Sequence, residues 1–323
     1  MFPQLQIAHM KPKLPILQGG MAVRVSTAKL ASAVANAGGI GIIAGTGLTV
    51  KELVDEIKKA RDLTAGYIGV NVLFAVEQFA KLMLAAMKEK VDFVISGAGF
   101  SRDMFAWGKD HGVPVLSIVS SARLAKVAEK LGAAAVVVEG KEAGGHLGTD
   151  RSVHEVLPEV LSVVEKIPVI AAGGIVDGFD IARTLGEGAQ GVQMATRFVA
   201  STECEAHPNF KEKYLAAEED DVILIDSPVG LPGRALRNNF TDSISGEGRK
   251  PIAHCERCLK QCSTKFCILD ALRRAVNGDV ENGLVFSGEF VHRIKEILSV
   301  QEIMDRLSAQ FEQAQALACQ APA

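Results

Sequence analysis

Short apolar runs rich in Val and Ile recur along the chain, and between them apolar residues return at helical spacing. A run that is apolar throughout, without alternation, marks a strand covered on both faces, because neither face meets water. Eight such runs are read, at 15–18, 39–44, 67–74, 93–98, 114–119, 135–139, 168–172 and 191–196. Their starts lie about 20 to 35 residues apart, enough for a strand, a helix and two loops. Eight units of this kind in succession predict an α/β fold, a closed (β/α)8 TIM barrel rather than an open sheet.

Helix starts support the reading. Thr49 with Glu52 forms a capping-box pattern before Leu53 and Ile57, and Ser121 precedes the periodic Leu124, Val127, Ala128 and Leu131. Asp177 and Asp180 open the segment carrying Ile181, Ala182 and Leu185. After Val199 the pattern changes: an acidic run, 218–221, is followed by Pro228, Gly230, Pro232 and Gly233, and helical spacing returns from 268 to 318. The expected organisation is a barrel over 12–200 and an appendage over 201–323, loop-rich and then helical, that covers one mouth of the barrel.

Composition narrows the function classes. The chain has 323 residues, 48% hydrophobic and 23% charged, with a net charge of −3 and scattered basic residues, so no footprint for nucleic acid is present. Mean hydropathy is +0.20, yet Asn, Gly or a charge interrupts every apolar run before the length of a membrane span, and no membrane association is expected. Residues 1–14 carry Lys11, Lys13 and His9 with no apolar stretch of signal-peptide type after them, which predicts a cytoplasmic protein. Four of the six cysteines, Cys255, Cys258, Cys262 and Cys267, fall within 13 residues.

Chemistry is expected where strands of a barrel end. The run Val136-Val137-Val138 leads into Glu139, Gly140, Glu142, Gly144, Gly145 and then His146. Glycines let backbone approach a ligand closely, and a histidine delivered there is placed for proton transfer. The seventh run ends in Gly173-Gly174 and the eighth in Met194-Ala195-Thr196-Arg197, the positions at which barrels commonly bind phosphate. The Thr196 hydroxyl and the Arg197 charge are candidates to complete that cradle. Gly39-x-Gly41-x-x-Ala44 only imitates a dinucleotide fingerprint, since its glycines lie within a strand instead of after one.

Taken in order, Pro15-Ile16-Leu17-Gln18-Gly19-Gly20-Met21, Gly69-Val70-Asn71, Glu142-Ala143-Gly144-Gly145-His146, Ala171-Ala172-Gly173-Gly174-Ile175 and Ala195-Thr196-Arg197-Phe198 resemble the nitronate monooxygenases, formerly 2-nitropropane dioxygenases. The flavin-dependent enoyl-acyl-carrier-protein reductases belong to the same superfamily. The resemblance covers about residues 12–240 and implies FMN in a TIM barrel. It further implies that Gly19, Gly20 and Met21 set backbone against the flavin ring and that Asn71 bonds its polar edge. Glu139, Gly144 and Gly145 would line the ring and ribityl chain, Gly173, Gly174, Met194, Ala195 and Thr196 the phosphate, and His146 would face the substrate. Nitronate monooxygenases tend to have Gln at the position of Glu139, whereas the enoyl reductases look more like this chain.

The leading expectation is therefore an FMN-dependent oxidoreductase of the nitronate monooxygenase type, oxidising alkyl nitronates with O2. The alternative is an NAD(P)H-dependent reductase of an enoyl thioester or a quinone. A third reading, from another class, is a flavin-free barrel whose cysteine segment binds metal and a partner protein. The cysteine spacing suggests an iron–sulfur cluster or zinc held by Cys255, Cys258, Cys262 and Cys267, with free or redox-active thiols as the other option. The expected partner is a small-molecule substrate, with a homodimer as one possible assembly.

Overall fold

The computed structural model describes residues 2–320. Its strands are β1 (Ile16–Gln18), β2 (Gly41–Ala44), β3 (Ile68–Leu73), β4 (Phe93–Gly97), β5 (Val115–Val119), β6 (Ala135–Glu139), β7 (Gly145–His146), β8 (Val169–Ala172), β9 (Gly191–Met194), β10 (Val222–Asp226) and β11 (Pro232–Leu236). The helices are α1 (Ala28–Asn36), α2 (Val50–Leu63), α3 (Phe79–Lys88), α4 (Asp103–His111), α5 (Ala122–Lys130), α6 (Val153–Leu161), α7 (Gly178–Gly186), α8 (Thr196–Val199), α9 (Pro208–Ala216), α10 (Asn239–Ser243), α11 (Ile268–Val276) and α12 (Val300–Gln320). None of the helices described is long and apolar enough to cross a membrane.

Eight strands form one parallel sheet in the order β1-β9-β8-β6-β5-β4-β3-β2. The ring closes where Leu17 bridges Ile40 just before β2, with Gln18 N–H donating to the Ile40 carbonyl at 2.9 Å. The protein is thus a (β/α)8 barrel. Strand pleating divides the apolar runs: Val137 points into the barrel with Leu17, Ile42, Phe93, Ile95 and Ile170, while Val136 and Val138 pack outward against the helices. Gly69 belongs to this arrangement, since a Cβ there would stand 2.2 Å from the Phe93 ring that fills the interior. Leu5, Ile7 and Met10, from the chain before β1, plug one end of the same interior cluster.

The capping boxes at Thr49/Glu52 and Asp177/Asp180 form, and Ser121 Oγ accepts the Leu124 N–H. The eighth run is shorter than its apolar pattern, because Ala195 already turns the chain into α8. The largest difference lies at the C-terminal end. Helix α12, within the segment assigned to the appendage, does not sit over the mouth but packs on the barrel flank against α7 and α1, where the eighth outer helix belongs. It is joined there by Gln310, whose side-chain oxygen accepts the Gly178 N–H at the start of α7. The remaining post-barrel chain supplies β10 and β11, which join β7 from the loop after β6 in a three-stranded antiparallel sheet, β10-β11-β7, where His146 pairs with Gly233 and Gly145 with Arg234.

Candidate active site

A cavity of about 860 Å³ opens at the ends of the barrel strands. It is lined by ten of the residues expected from the sequence: Gly19, Gly20, Met21, Asn71, Glu139, Gly144, Gly145, His146, Ala195 and Thr196. The wall between β1 and β3 is close-packed, and a Cβ on Gly20 would fall 2.4 Å from Asn71 Cβ. Glycine at that position lets the turn after β1 lie directly on Asn71. Among the described residues no group bonds the Asn71 side chain, and Gln193 Oε1 and Ser287 Oγ are buried on the same cavity without partners. Buried polar atoms are normally satisfied, so these two idle atoms, with the half-buried Asn71 amide on the same space, mark a site for a polar ligand.

Gly173 and Gly174 lie behind this wall. Both have positive φ, +103° and +73°, and they face Ala143 and Gly140 in one case and Phe290 and Glu142 in the other. Met194 is fully buried in the core and contributes to the wall through its carbonyl, which accepts the Gly19 N–H at 2.8 Å. Thr196 Oγ1 accepts the Gly288 N–H at 3.0 Å. Arg197 is a correction: its guanidinium turns away from the cavity and donates to the carbonyls of Ala200 and Glu296, at 2.9 and 2.8 Å. Burial holds it down to about 10, and its role is to tie the chain after β9 to the segment before α12.

Among the titratable groups that line the cavity, Glu139 and His146 come from β6 and the loop after it. Glu139, at the end of β6, has no hydrogen-bond partner among the described residues, and desolvation pushes it up to about 8. His146 is pushed down to about 4 by the same cause. Their side chains keep some open surface only because the cavity itself is open; protein surrounds both. Near neutral pH the site thus holds a neutral carboxyl beside a neutral imidazole. His146 Nε2 lies 2.7 Å from Ser227 Oγ, and the Phe286 ring stands edge-on at 5.2 Å. Phe286 is fixed in turn by the Tyr214 hydroxyl, which donates to its carbonyl.

Sequence reasoning missed Gln193, Ser227, Tyr214, Phe286, Ser287 and Gly288. The last three follow the apolar pair Leu284-Val285, and Phe286 bridges Ala235, so Leu-Val-Phe-Ser-Gly was a readable signal for a short strand ending at a site.

The cysteine segment needs correction as well. Among the described residues no group of three or more His, Cys, Asp or Glu side chains is placed to hold a metal ion. Cys255 and Cys262 are exposed, while Cys258 and Cys267 pack against the cluster around Phe266. Burial and the surrounding thiols push Cys258 up to about 11, which keeps it protonated. Metal ligation was expected because a loop-rich segment needs something to hold it. Backbone pairing does so instead: Leu259 bridges Val76, Glu77 N–H donates to the Cys258 carbonyl at 2.9 Å, and Lys260 N–H to that of Ala75. The Lys260 ammonium completes the clasp, 3.9 Å from the Phe74 ring centroid and 2.7 Å from the Phe74 carbonyl. The segment thereby lies as a strap across the cavity mouth, with Cys258 and Leu259 on its lining.

Fold and cavity together define a (β/α)8 barrel with a candidate ligand site at the ends of its strands. Residues 4–81 and 73–310 match the nitronate monooxygenase family model, and the chain belongs to that family. A curated relative from Rhodococcus jostii, (3aS,4S,5R,7aS)-5-hydroxy-7a-methyl-1-oxo-octahydro-1H-indene-4-carboxyl-CoA dehydrogenase, is 35% identical over 234 residues, 72% of this chain. The match spans 65% of that relative's length, just under two thirds. A probable nitronate monooxygenase of Staphylococcus aureus is 30% identical over 72% of this chain and 77% of its own. Among solved structures, FabK from Thermotoga maritima superposes with a TM-score of 0.86 at 35% identity, covering 95% of each chain. Nitroalkane oxidase from Streptomyces ansochromogenes gives 0.82 at 26% identity, over 95% of this chain and 98% of its own.

Proposed function

We propose that the protein is an FMN-dependent oxidoreductase that reduces the activated C=C bond of an acyl thioester or quinone-like acceptor, with NAD(P)H as electron donor. The observation that carries the flavin is the wall of backbone and idle polar groups, Gly19–Gly20, Asn71, Gln193 and Ser287, around one cavity. Gly20 and Met21 would lie along the ring, Asn71 would bond its polar edge, and Gly144, Gly145, Ala195 and Thr196 would follow the ribityl phosphate. When bound, FMN would supply a hydride carrier, which no side chain can provide.

The rest of the work belongs to the protein. His146, neutral and half-enclosed, orients the acceptor and governs the proton at the atom beside its carbonyl. Glu139, kept uncharged, lines the flavin without adding a negative charge that would oppose reduction. Cys258 and Leu259 of the strap and the Phe286 ring line the cavity with apolar surface. At about 860 Å³ the cavity stands near the top of the range for small-molecule pockets, about 300–1,000 Å³, which suits a cofactor together with a sizeable acceptor.

Oxidation of alkyl nitronates by O2 is the second reading. It is favoured by the family match and by a neutral His146 able to bond a nitro oxygen. Anaerobic stopped-flow reduction separates the two. Rapid flavin bleaching by NADH or NADPH supports the reductase, bleaching by nitronate alone supports the oxidase, and purified protein without flavin overturns both.

A further inference from the structure

The β10–β11 hairpin ends in a turn whose first residue touches the reactive histidine. Ser227 follows β10 directly, and the turn is closed by Gly230 N–H on the Ser227 carbonyl at 3.0 Å and by Ser227 N–H on that of Leu231 at 3.3 Å. Gly230 accommodates the reversal at φ +85°. Pairing of β11 with β7 then brings the turn against His146. Ser227 is 4% exposed, so its hydroxyl has little water to satisfy it.

That hydroxyl makes two contacts. Its oxygen accepts the Val229 N–H at 3.3 Å and lies 2.7 Å from His146 Nε2. A hydroxyl has one proton to donate. If Nε2 carried the imidazole proton, Ser227 Oγ would accept twice and its own proton would be left without an acceptor among the described residues, at the usual cost of a buried unpaired donor. If Nε2 is bare, the hydroxyl donates to it and every group in the turn is satisfied. The proton then sits on Nδ1, which no described group bonds and which is free to face the cavity.

We propose that Ser227 is a positioning residue that fixes His146 in the Nδ1–H tautomer, so that the substrate meets a hydrogen-bond donor and not a base. The inference rests on the reading of His146 as the group facing the substrate. It deepens that reading by naming the chemistry recognised there: an acceptor oxygen, such as a thioester carbonyl or an oxygen of an already ionised nitronate. A neutral nitroalkane finds no base in this imidazole.

The test is the nitrogen-15 spectrum of the histidine rings in the flavin-loaded protein, with the His146 signals assigned by their loss in His146→Gln. The couplings of the ring protons to each nitrogen distinguish the tautomers. Nδ1–H is expected in the parent, loss of that preference in Ser227→Ala, and its return in Ser227→Thr, with turnover falling at least about 10-fold in Ser227→Ala at unchanged flavin content and recovering in Ser227→Thr. An Nε2–H parent overturns the proposal, as does a Ser227→Ala protein that keeps Nδ1–H. Should Ser227→Ala not fold, the parent spectrum decides alone. Because the tautomer is read without substrate, a wrong assignment of the reaction leaves this result standing.

Discussion

The two sides of the cavity are built in different ways. The wall formed by β1, β3, β6 and β9 is backbone, glycine and unpaired polar side chains, held by short-range turns on a rigid barrel. The opposite side comes from chain after the barrel, and there, apart from the unpaired Ser287 Oγ, groups bond one another: Ser227 with His146, Tyr214 with the Phe286 carbonyl, Lys260 with the Phe74 carbonyl. A wall that waits for partners suits a resident cofactor. A face whose groups bond one another instead shapes the remaining space and orients the residue that meets the substrate.

His146 links the two sides, so removing it should have the largest effect. His146→Ala is expected to retain flavin and lose about 10²-fold or more in turnover, the usual scale for a positioned acid or base. Near-normal turnover in a fully loaded variant would mean that the post-barrel face orients some other group. The cofactor wall is probed by Gly20→Ala, whose Cβ must displace Asn71 from 2.4 Å. Visible flavin absorbance per purified protein should drop about 10-fold, and undiminished flavin would detach this turn from the cofactor.

Glu139 and His146 also make opposite demands on pH. A carboxyl raised to about 8 binds its proton more readily in the folded state, so its contribution to stability is complete below about 4.5 and is lost as pH rises to 8. A histidine lowered to about 4 contributes fully above about 6.5 and loses that contribution as pH falls through 4. Glu139→Gln should therefore raise Tm at pH 8, by about 2–4 °C per kcal/mol recovered, and change it little at pH 4.5. An equal shift at both pH values would show that the carboxyl is ionised in both states.

The smallest effect is expected in the strap. Cys255→Ser and Cys262→Ser alter exposed thiols and should each change stability by no more than about 0.5 kcal/mol. Loss on the scale of a structural metal site, about 10 kcal/mol, accompanied by stoichiometric iron or zinc in anaerobically purified protein, would reinstate the ligation reading.

The barrel was legible because its cause is local. Strands covered on both faces must be apolar throughout and helices need caps, so Val136–Val138 and Thr49 with Glu52 declared themselves. Six cavity-lining residues, Glu139, Gly144, Gly145, His146, Ala195 and Thr196, were found from the strand ends, and the family resemblance added Gly19, Gly20, Met21 and Asn71. The sequence misled where one motif fits two environments. Arg197 beside Thr196 looked like a phosphate ligand, yet the nearby Ala200 carbonyl and the distant Glu296 carbonyl claim it. Four close cysteines looked like a metal site, yet pairing with the loop after β3 holds their segment. Ser227, Tyr214 and Phe286 could not be read at all. Each acts through a partner some 70 or more residues away, and a contact across that distance leaves no periodicity behind. The sequence by itself determined the barrel and the glycine-rich wall at its strand ends, because both follow from interactions between near neighbours. Only the tertiary structure decided what faces His146, because the folding back of the post-barrel chain brings those groups together.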